Sequence, residues 1–302
     1  MFDNWRRGAT GAPPKNVSEI AEEFLAYQRI YTEDPASSEF NLRIIKRHLG
    51  TRLLIDVSPR EIEAMIAERL QAGIAKATIN RQSATLSKMF NWSIERGYHP
   101  GPNPMRQIKK FRESPGRVRY LTADEASRFL LASAHHLKPI VLTALHTGGR
   151  LEELLTLTWG DVNFDLGIVS FKRATTKGRK ERQVPLSPEL SSGLRRLRPG
   201  AAQELVFTYN GRKIGSVRTS FLTAQKKAGL GTDVVFHTLR HTFASWFMMN
   251  GGDLYRLQKY LGHSSLAMTQ RYSHLSPEFI RDGVRFIGPP RAIQRVKDEE
   301  VK

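Results

Sequence analysis

Apolar residues recur at three- and four-residue intervals through the first third of the chain, a spacing typical of amphipathic helices. The third such stretch begins with a capping box. Ser58 precedes the stretch, proline occupies its first position, and Glu61 occupies its third. The fourth stretch stops at Gly97, and three prolines follow it. The pattern predicts a small bundle of four helices at residues 17–30, 37–49, 59–71 and 78–96.

A second helical region opens at Thr122 and Glu125, another capping box, and continues to about residue 158. An apolar, β-favouring pattern then predicts a pair of strands at residues 168–174 and 182–186. Further helices are predicted at residues 188–197, 216–228, 239–250, 254–261 and 265–274. The chain is therefore expected to be mainly α with a small β-sheet.

Between these regions lies a basic segment, RQIKKFRESPGRVR, with six Lys or Arg against one Glu and a Pro-Gly break. We interpret it as an interdomain linker whose cations contact phosphates; a merely solvated connector is the alternative. Its basic residues are Arg106, Lys109, Lys110, Arg112, Arg117 and Arg119. The predicted boundaries are a flexible arm at 1–16, the bundle at 17–105, the linker at 106–119, a second domain at 120–288 and a tail at 289–302.

The charge balance indicates the kind of partner. The 47 Lys and Arg exceed the 29 Asp and Glu, which gives a net charge of +18 and favours a polyanion, nucleic acid ahead of an anionic membrane. No apolar run approaches the roughly 20 residues that span a bilayer, so no membrane partner is expected. The absence of cysteine excludes disulfides, thiolate zinc sites and a cysteine nucleophile. We expect a cytoplasmic, nucleoid-associated protein.

Two segments combine arginine with groups that would hold it at an anion. Arg150 follows two glycines at a predicted helix start, where Glu153 can reach back to orient the guanidinium. His237 and Arg240 lie three residues apart at another helix start, which is a ready anion site. The alternatives are a structural Arg-Glu pair, a surface ion pair, or a metal site formed by His237 and His241; no carboxylate or cysteine supports the last.

The remaining candidates are a lysine, a histidine and a tyrosine. Lys177 lies at the tip of the predicted strand pair, where a lysine could protonate an alkoxide leaving group. Arg179 and Lys180 beside it are expected to contact DNA. The alternative is that this charged tip is only solvated. His263 follows a glycine that ends one helix, and a following serine is expected to cap the next. Tyr272, nine residues after His263, is the candidate nucleophile, although packing roles are common for such residues.

The order and spacing of these residues resemble the tyrosine recombinase, or phage integrase, family. The resemblance rests on TGGRLEEL, on a hairpin lysine before RQVPL, on HTLRH, on LGH and on the tyrosine, and it covers residues 17–277. The positions that match the six catalytic residues of the family are Arg150, Lys177, His237, Arg240, His263 and Tyr272.

The resemblance implies a SAM-like core-DNA-binding bundle and an α+β catalytic domain. Tyr272 would form a 3'-phosphotyrosine, with Arg150 and Arg240 on the nonbridging oxygens, and with no metal or cofactor. His237 would accept the tyrosine proton, Lys177 would protonate the 5'-oxygen, and His263 would bind the phosphate or leaving group. Double-stranded core sites would be the partner, bound by a homotetramer that is a monomer when free. Strands would exchange through a Holliday junction.

Two departures qualify the resemblance. Gly149 stands where the family more often has a larger apolar residue. Glycine at this position is expected to loosen the turn. The chain begins almost directly with the core-binding helices, so an Xer-like or simple mobile-element recombinase without a separate arm-binding domain is expected. Its reaction would integrate, excise or resolve DNA. A type IB topoisomerase-like enzyme that relaxes DNA and a non-catalytic DNA-binding regulator are the alternatives.

Overall fold

The computed structural model describes residues 14–32, 35–113, 118–172, 181–197 and 200–276. The chain divides into two compact units, Met1–Pro115 and Gly116–Lys302. None of the helices in the described ranges combines the length and the apolar composition that crossing a bilayer requires.

The first unit is helical, as the apolar spacing predicts. Its third helix begins and ends at the predicted residues and carries the expected capping box, in which Glu61 Oε2 accepts the backbone N–H of Ser58 at 2.8 Å. The first and last residues of the other three helices differ from the predicted ones by two positions or fewer. The helices are α1 (Val17–Tyr31), α2 (Ala36–Leu49), α3 (Pro59–Gln71) and α4 (Lys76–Glu95).

Apolar faces of all four helices form the core of this unit, and one buried polar contact ties α2 to α4. Asn41 donates to Thr85 at 3.0 Å within that core. The segment after α4 packs back on the same unit. The side-chain amide of Asn80 accepts the Phe111 N–H at 3.0 Å and donates to the Phe111 carbonyl at 2.9 Å. The first part of the predicted linker is thus fixed to the bundle as far as Phe111.

The second unit is helical with two small sheets. Thr122 and Glu125 form the predicted capping box, with hydrogen bonds of 3.1 and 2.9 Å. Its helices are α5 (Ala123–Ala132), α6 (Lys138–Thr147), α7 (Leu151–Leu155), α8 (Pro188–Arg195), α9 (Arg218–Lys227), α10 (Phe236–Met249), α11 (Leu254–Leu261) and α12 (Ala267–Gln270). The helix predicted at residues 265–274 is shorter than expected: α12 is followed by a 3-10 turn, Ser273–Leu275.

The predicted strand pair is present as β2 (Ile168–Phe171) and β3 (Arg182–Pro185), which are antiparallel. A strand that the sequence did not predict, β1 (Val162–Asn163), pairs with β2 and makes a three-stranded sheet. A second unpredicted pair is β4 (Thr208–Tyr209) and β5 (Arg212–Lys213). It turns through Asn210 and Gly211, both with positive φ. This Asn-Gly dipeptide is a sequence signal for a hairpin that the apolar pattern alone overlooks.

Two apolar clusters organise the second unit. The larger one lies between the sheet and helices α5 to α10. The smaller one joins the end of α10 to α11 and to the segment that carries Tyr272, whose side chain is only 2 % exposed. The candidate nucleophile is therefore a core residue of this smaller cluster, packed with Ala244, Met248, Leu257 and Leu261.

Candidate active site

The turn before Arg150 brings two parts of the site together. Helix α6 ends at Thr147, and Gly148 follows in the left-handed region with φ of 64°. A Cβ at this position would lie 2.6 Å from Cδ1 of Phe243, so both the backbone angle and the close approach require glycine. The Gly148 carbonyl accepts Arg240 Nη1 at 2.6 Å, and this bond joins the turn to α10.

Gly149 is tightly packed in this turn. A Cβ here would lie 2.8 Å from Cδ2 of Leu154 and 3.2 Å from Cζ of Phe171. The expectation that glycine loosens the turn is therefore wrong, because the space that a larger residue would fill is already occupied by Leu154 and Phe171.

Glu153 is the centre of the first half of the site. Its Oε1 accepts Arg150 Nη1 at 3.0 Å, as the spacing predicts, and its Oε2 accepts the Arg150 backbone N–H at 2.8 Å. The same carboxylate also forms a bidentate pair with Arg182, at 2.7 and 2.6 Å. We call Arg150, Glu153 and Arg182 the carboxylate side of the site.

Arg182 is a residue that the sequence analysis missed. Its side chain is 6 % exposed, its guanidinium lies over the ring of Phe171, and its Nε donates to the Tyr260 carbonyl at 2.7 Å. It is the buried arginine of this side, whereas Arg150 keeps 36 % of its side chain exposed. A signal was present: Arg182 shares the inward face of β3 with Val184, and an inward-facing arginine needs a carboxylate partner.

The two guanidiniums set the charge of Glu153. Burial alone would raise the pKa of Glu153, but the hydrogen bonds and charges of Arg182 and Arg150 lower it to about 2. Glu153 therefore stays ionised at neutral pH, and it neutralises one of the two positive charges beside it.

Arg240 is held in a different way. Its side chain is buried in α10, with the residue 2 % exposed, and its guanidinium donates to the carbonyls of Gly148 and Leu261. Burial, and then the charges of Arg150 and Arg182, lower the pKa of Arg240 to about 9, so the group remains cationic at neutral pH. We call Arg240, His241 and Tyr272 the carbonyl side of the site.

The hydroxyl of Tyr272 contacts a histidine that the sequence analysis considered only as a metal ligand. Tyr272 Oη lies 2.6 Å from His241 Nδ1. The His241 ring in turn meets the ring of His237 edge to face, with centroids 4.7 Å apart. His237 lies in the first turn of α10 and is exposed. No group of three or more His, Cys, Asp or Glu in the described ranges could hold a metal ion.

His263 follows Gly262, the left-handed residue that ends α11 as predicted. Its Nδ1 lies 2.9 Å from Thr269 Oγ1, which fixes the ring against α12. The expected serine cap is absent, because α12 begins at Ala267 and its N-cap position, Leu266, makes no side-chain hydrogen bond. Burial, followed by the charges of Arg240 and Arg150, lowers the pKa of His263 to about 4, so the imidazole is neutral.

Positive charge dominates the site. Burial, His237, Arg271 and Arg240, in this order, lower the pKa of His241 to about 4, and partial desolvation and nearby arginines also lower the pKa of His237. Arg271, which the sequence analysis missed, is exposed and pairs with no carboxylate of the described residues. Among the described residues, Glu153 is the one carboxylate whose charge acts on Arg240, and no carboxylate of the described residues acts on His237 or His241. A phosphate would find several cations and neutral imidazoles here.

The remaining candidates fall into three groups. Lys177, Arg179, Lys180 and Arg117 lie outside the described residues. Lys109, Lys110 and Arg112 are exposed beside α4, as phosphate contacts would need to be. Arg119 differs, because its guanidinium bonds both Glu125, at 2.7 Å, and Asp233, at 2.9 Å. These carboxylates neutralise Arg119, so it fastens its segment to the second unit.

Comparison with known proteins gives the same class as the site. Residues 119–278 match the model of the phage integrase family, and residues 14–112 match that of the phage integrase N-terminal domain. A putative integrase of Pseudomonas phage Pf1 is 31 % identical over 91 % of this chain and 80 % of its own. A tyrosine recombinase XerC of Xylella fastidiosa is 28 % identical over 87 % of this chain and 95 % of its own.

A solved structure shares the fold. The structure of a lambda integrase dimer bound to a COC' core site superposes with a TM-score of 0.71 and 22 % identity, over 86 % of this chain and 77 % of that one. The family match and these relatives make the chain a tyrosine-type DNA recombinase. The chain belongs to the phage integrase family, and its activity is site-specific recombination.

Proposed function

We propose that this recombinase cleaves DNA by attack of Tyr272 on a phosphodiester, which gives a 3'-phosphotyrosine and a free 5'-hydroxyl. The observation that carries the proposal is the joint burial of Tyr272 and Arg240, each 2 % exposed, in a pocket of cations and neutral imidazoles. A buried tyrosine needs a hydrogen-bond acceptor in any role, but a tyrosine placed only for packing would not need the buried cation of Arg240 beside it. The reverse attack by a 5'-hydroxyl of another strand rejoins the DNA.

The site residues take roles that fit their geometry. The in-line transition state concentrates negative charge on the nonbridging oxygens, where Arg240 and Arg150 stabilise it. Neutral His263, oriented by Thr269, donates a hydrogen bond to the phosphate or the leaving group. Lys177 protonates the 5'-oxygen. Glu153 supports the site by orienting Arg150, and no metal or cofactor takes part.

The partner that fits this chain is double-stranded DNA bearing core sites. Exposed Lys109, Lys110 and Arg112 contact phosphates on the first unit, and Arg179, Lys180 and Arg117 extend these contacts. Membership of the family supports a homotetramer on two paired sites, which exchanges strands through a Holliday junction, and a monomer when free. The protein would act at the nucleoid, in the cytoplasm.

Trapping of the covalent intermediate tests the proposal. The protein is incubated with a nicked suicide substrate cut from the DNA that flanks its gene, where an attachment site is expected. A covalent adduct forms with the wild-type chain and with Tyr255→Phe, which alters an exposed tyrosine of α11, but not with Tyr272→Phe. An absent wild-type adduct, or an adduct with Tyr272→Phe, overturns the mechanism. Relaxation of a plasmid without the site would instead indicate topoisomerase-like action.

A further inference from the structure

The imidazole that contacts the nucleophile is not the one that the family motif suggests. Tyr272 Oη lies 2.6 Å from Nδ1 of His241, one helical turn after His237 on α10. The His237 ring meets the His241 ring, with centroids 4.7 Å apart, and has no hydrogen bond to the tyrosine. His237 is therefore one imidazole away from the reacting oxygen.

The hydrogen of this bond belongs to the tyrosine. A buried hydroxyl needs an acceptor, and Nδ1 of His241 is the acceptor that the described residues offer to Tyr272. The groups that act on His241 are His237 and Arg240 from its own helix and Arg271 from the segment packed against it, and none of them is acidic. His241 is thus neutral, its Nδ1 lone pair accepts, and its hydrogen lies on Nε2.

We propose that His241 is a further catalytic residue, the immediate acceptor of the Tyr272 proton when the hydroxyl attacks DNA. This inference rests on the proposed nucleophilic role of Tyr272. In the forward step the Tyr272 O–H bond breaks and a His241 Nδ1–H bond forms. At the same time the Tyr272 O–P bond forms and the P–O5' bond breaks, with a proton for the 5'-oxygen from Lys177. In rejoining, the 5'-hydroxyl returns its proton to Lys177 as O5' attacks phosphorus, the Tyr272 O–P bond breaks, and His241 returns its proton to Tyr272.

The surrounding charges make this transfer depend on DNA. Without phosphate, the pKa of His241 is about 4 and burial raises the pKa of Tyr272, so the proton stays on the tyrosine. A phosphodiester brings negative charge to Arg240 and Arg271, and still more develops as it is attacked. This charge offsets the cations that disfavour a protonated His241. The same hydrogen bond therefore keeps the nucleophile protonated in free protein and removes its proton on the substrate.

Two variants separate proton acceptance from simple positioning. His241→Asn keeps a hydrogen-bonding atom near the position of Nδ1 but cannot take up a proton, and His241→Phe keeps the volume of the ring without either property. We expect both to form the covalent adduct roughly 10²-fold more slowly, the scale of general base catalysis, while binding DNA normally. His274→Asn, an exposed histidine two residues after Tyr272, is the matched control and keeps the wild-type rate.

A more acidic nucleophile provides the decisive readout. Placing 3-fluorotyrosine at position 272 lowers the pKa of the phenol, so the reaction depends less on a base. We expect fluorination to make His241→Phe and His241→Asn form the adduct about tenfold faster than they do with ordinary tyrosine, and to change the wild-type rate much less.

Each contrary result has a defined meaning. If His241→Asn cleaves at the wild-type rate, or if fluorination rescues neither variant, His241 is not the proton acceptor. These results leave the role of Tyr272 intact, because that role fails only if Tyr272→Phe forms the adduct. A His241→Phe chain that no longer binds DNA is misfolded, and His241→Asn then decides the question.

Discussion

The two sides of the site hold their arginines by different means. On the carboxylate side, Glu153 binds both Arg150 and Arg182, so part of the positive charge is neutralised. On the carbonyl side, the Gly148 and Leu261 carbonyls hold Arg240, which orients the guanidinium while its full charge remains. A carboxylate thus fixes geometry at the cost of charge, whereas peptide dipoles fix geometry and leave the charge for the substrate.

The largest expected effect is on the carbonyl side. In Arg240→Lys, one ammonium replaces a planar fork that reaches two carbonyls, so both the orientation and a transition-state contact are lost. We expect covalent cleavage to slow by roughly 10³-fold or more, by analogy with arginine fingers, while DNA binding remains. Arg196→Lys, at an exposed position after α8, is the control. A loss of less than tenfold would show that a point charge is sufficient.

The carboxylate side is expected to contribute more to stability. Glu153→Gln leaves buried Arg182 without its carboxylate, which costs about 3 kcal/mol or more of unfolding free energy. Arg182→Met should cost less, because Glu153 keeps its bonds to the partly exposed Arg150. The double variant should lose less than the sum of the single losses, because the charge that remains, Arg150, is partly exposed and no buried charge is left unpaired. Urea unfolding measures this cycle, with exposed Arg256→Ala as the control, expected to change stability by under about 1 kcal/mol. Additive losses would contradict the pairing.

The smallest effect separates the buried imidazoles His241 and His263 from Glu153 by the pH at which their contributions to stability are lost. His241 and His263 have their pKa lowered from 6.5 to about 4, so their contribution to stability is complete above pH 6.5 and is lost as pH falls towards 4. Glu153 has its pKa lowered from 4.5 to about 2, so its contribution is lost only below pH 4.5. Thermal unfolding of a His241→Asn/His263→Asn variant should therefore depend less on pH between 6.5 and 4.5 than that of the wild type. Parallel curves would refute the assignment.

Much of the fold could be predicted where local signals agree. The predicted bounds of α3 and α11 agree with the structure to the residue. Ser58 and Glu61 mark the start of α3, and Gly262 marks the end of α11. The turn at Gly148 and the Arg150–Glu153 bond also followed from spacing. The shortened α12 did not, since residues beyond Gln270 turn to place Tyr272 in the core, and tertiary packing outweighs the helical pattern.

The rest of the site depends on contacts between residues far apart in the chain. Arg182 meets Glu153 and His241 meets Tyr272 across 29 and 31 residues, and no local pattern reports such pairs. The spacing of His237 and His241 along one helix indicates that they share a face, but it does not indicate that His241 meets Tyr272.

The last turn of α11 offers a different lesson. Two consecutive peptide carbonyls there, those of Tyr260 and Leu261, receive Arg182 and Arg240, one from each side of the site. The atoms that join the two sides therefore belong to the main chain, while the side chain of Leu261 packs beside Tyr272 in the smaller apolar cluster. A designer who transplanted the centre to another scaffold would have to reproduce that stretch of backbone, since copying the reactive side chains alone would leave out the main-chain acceptors that Arg182 and Arg240 both use.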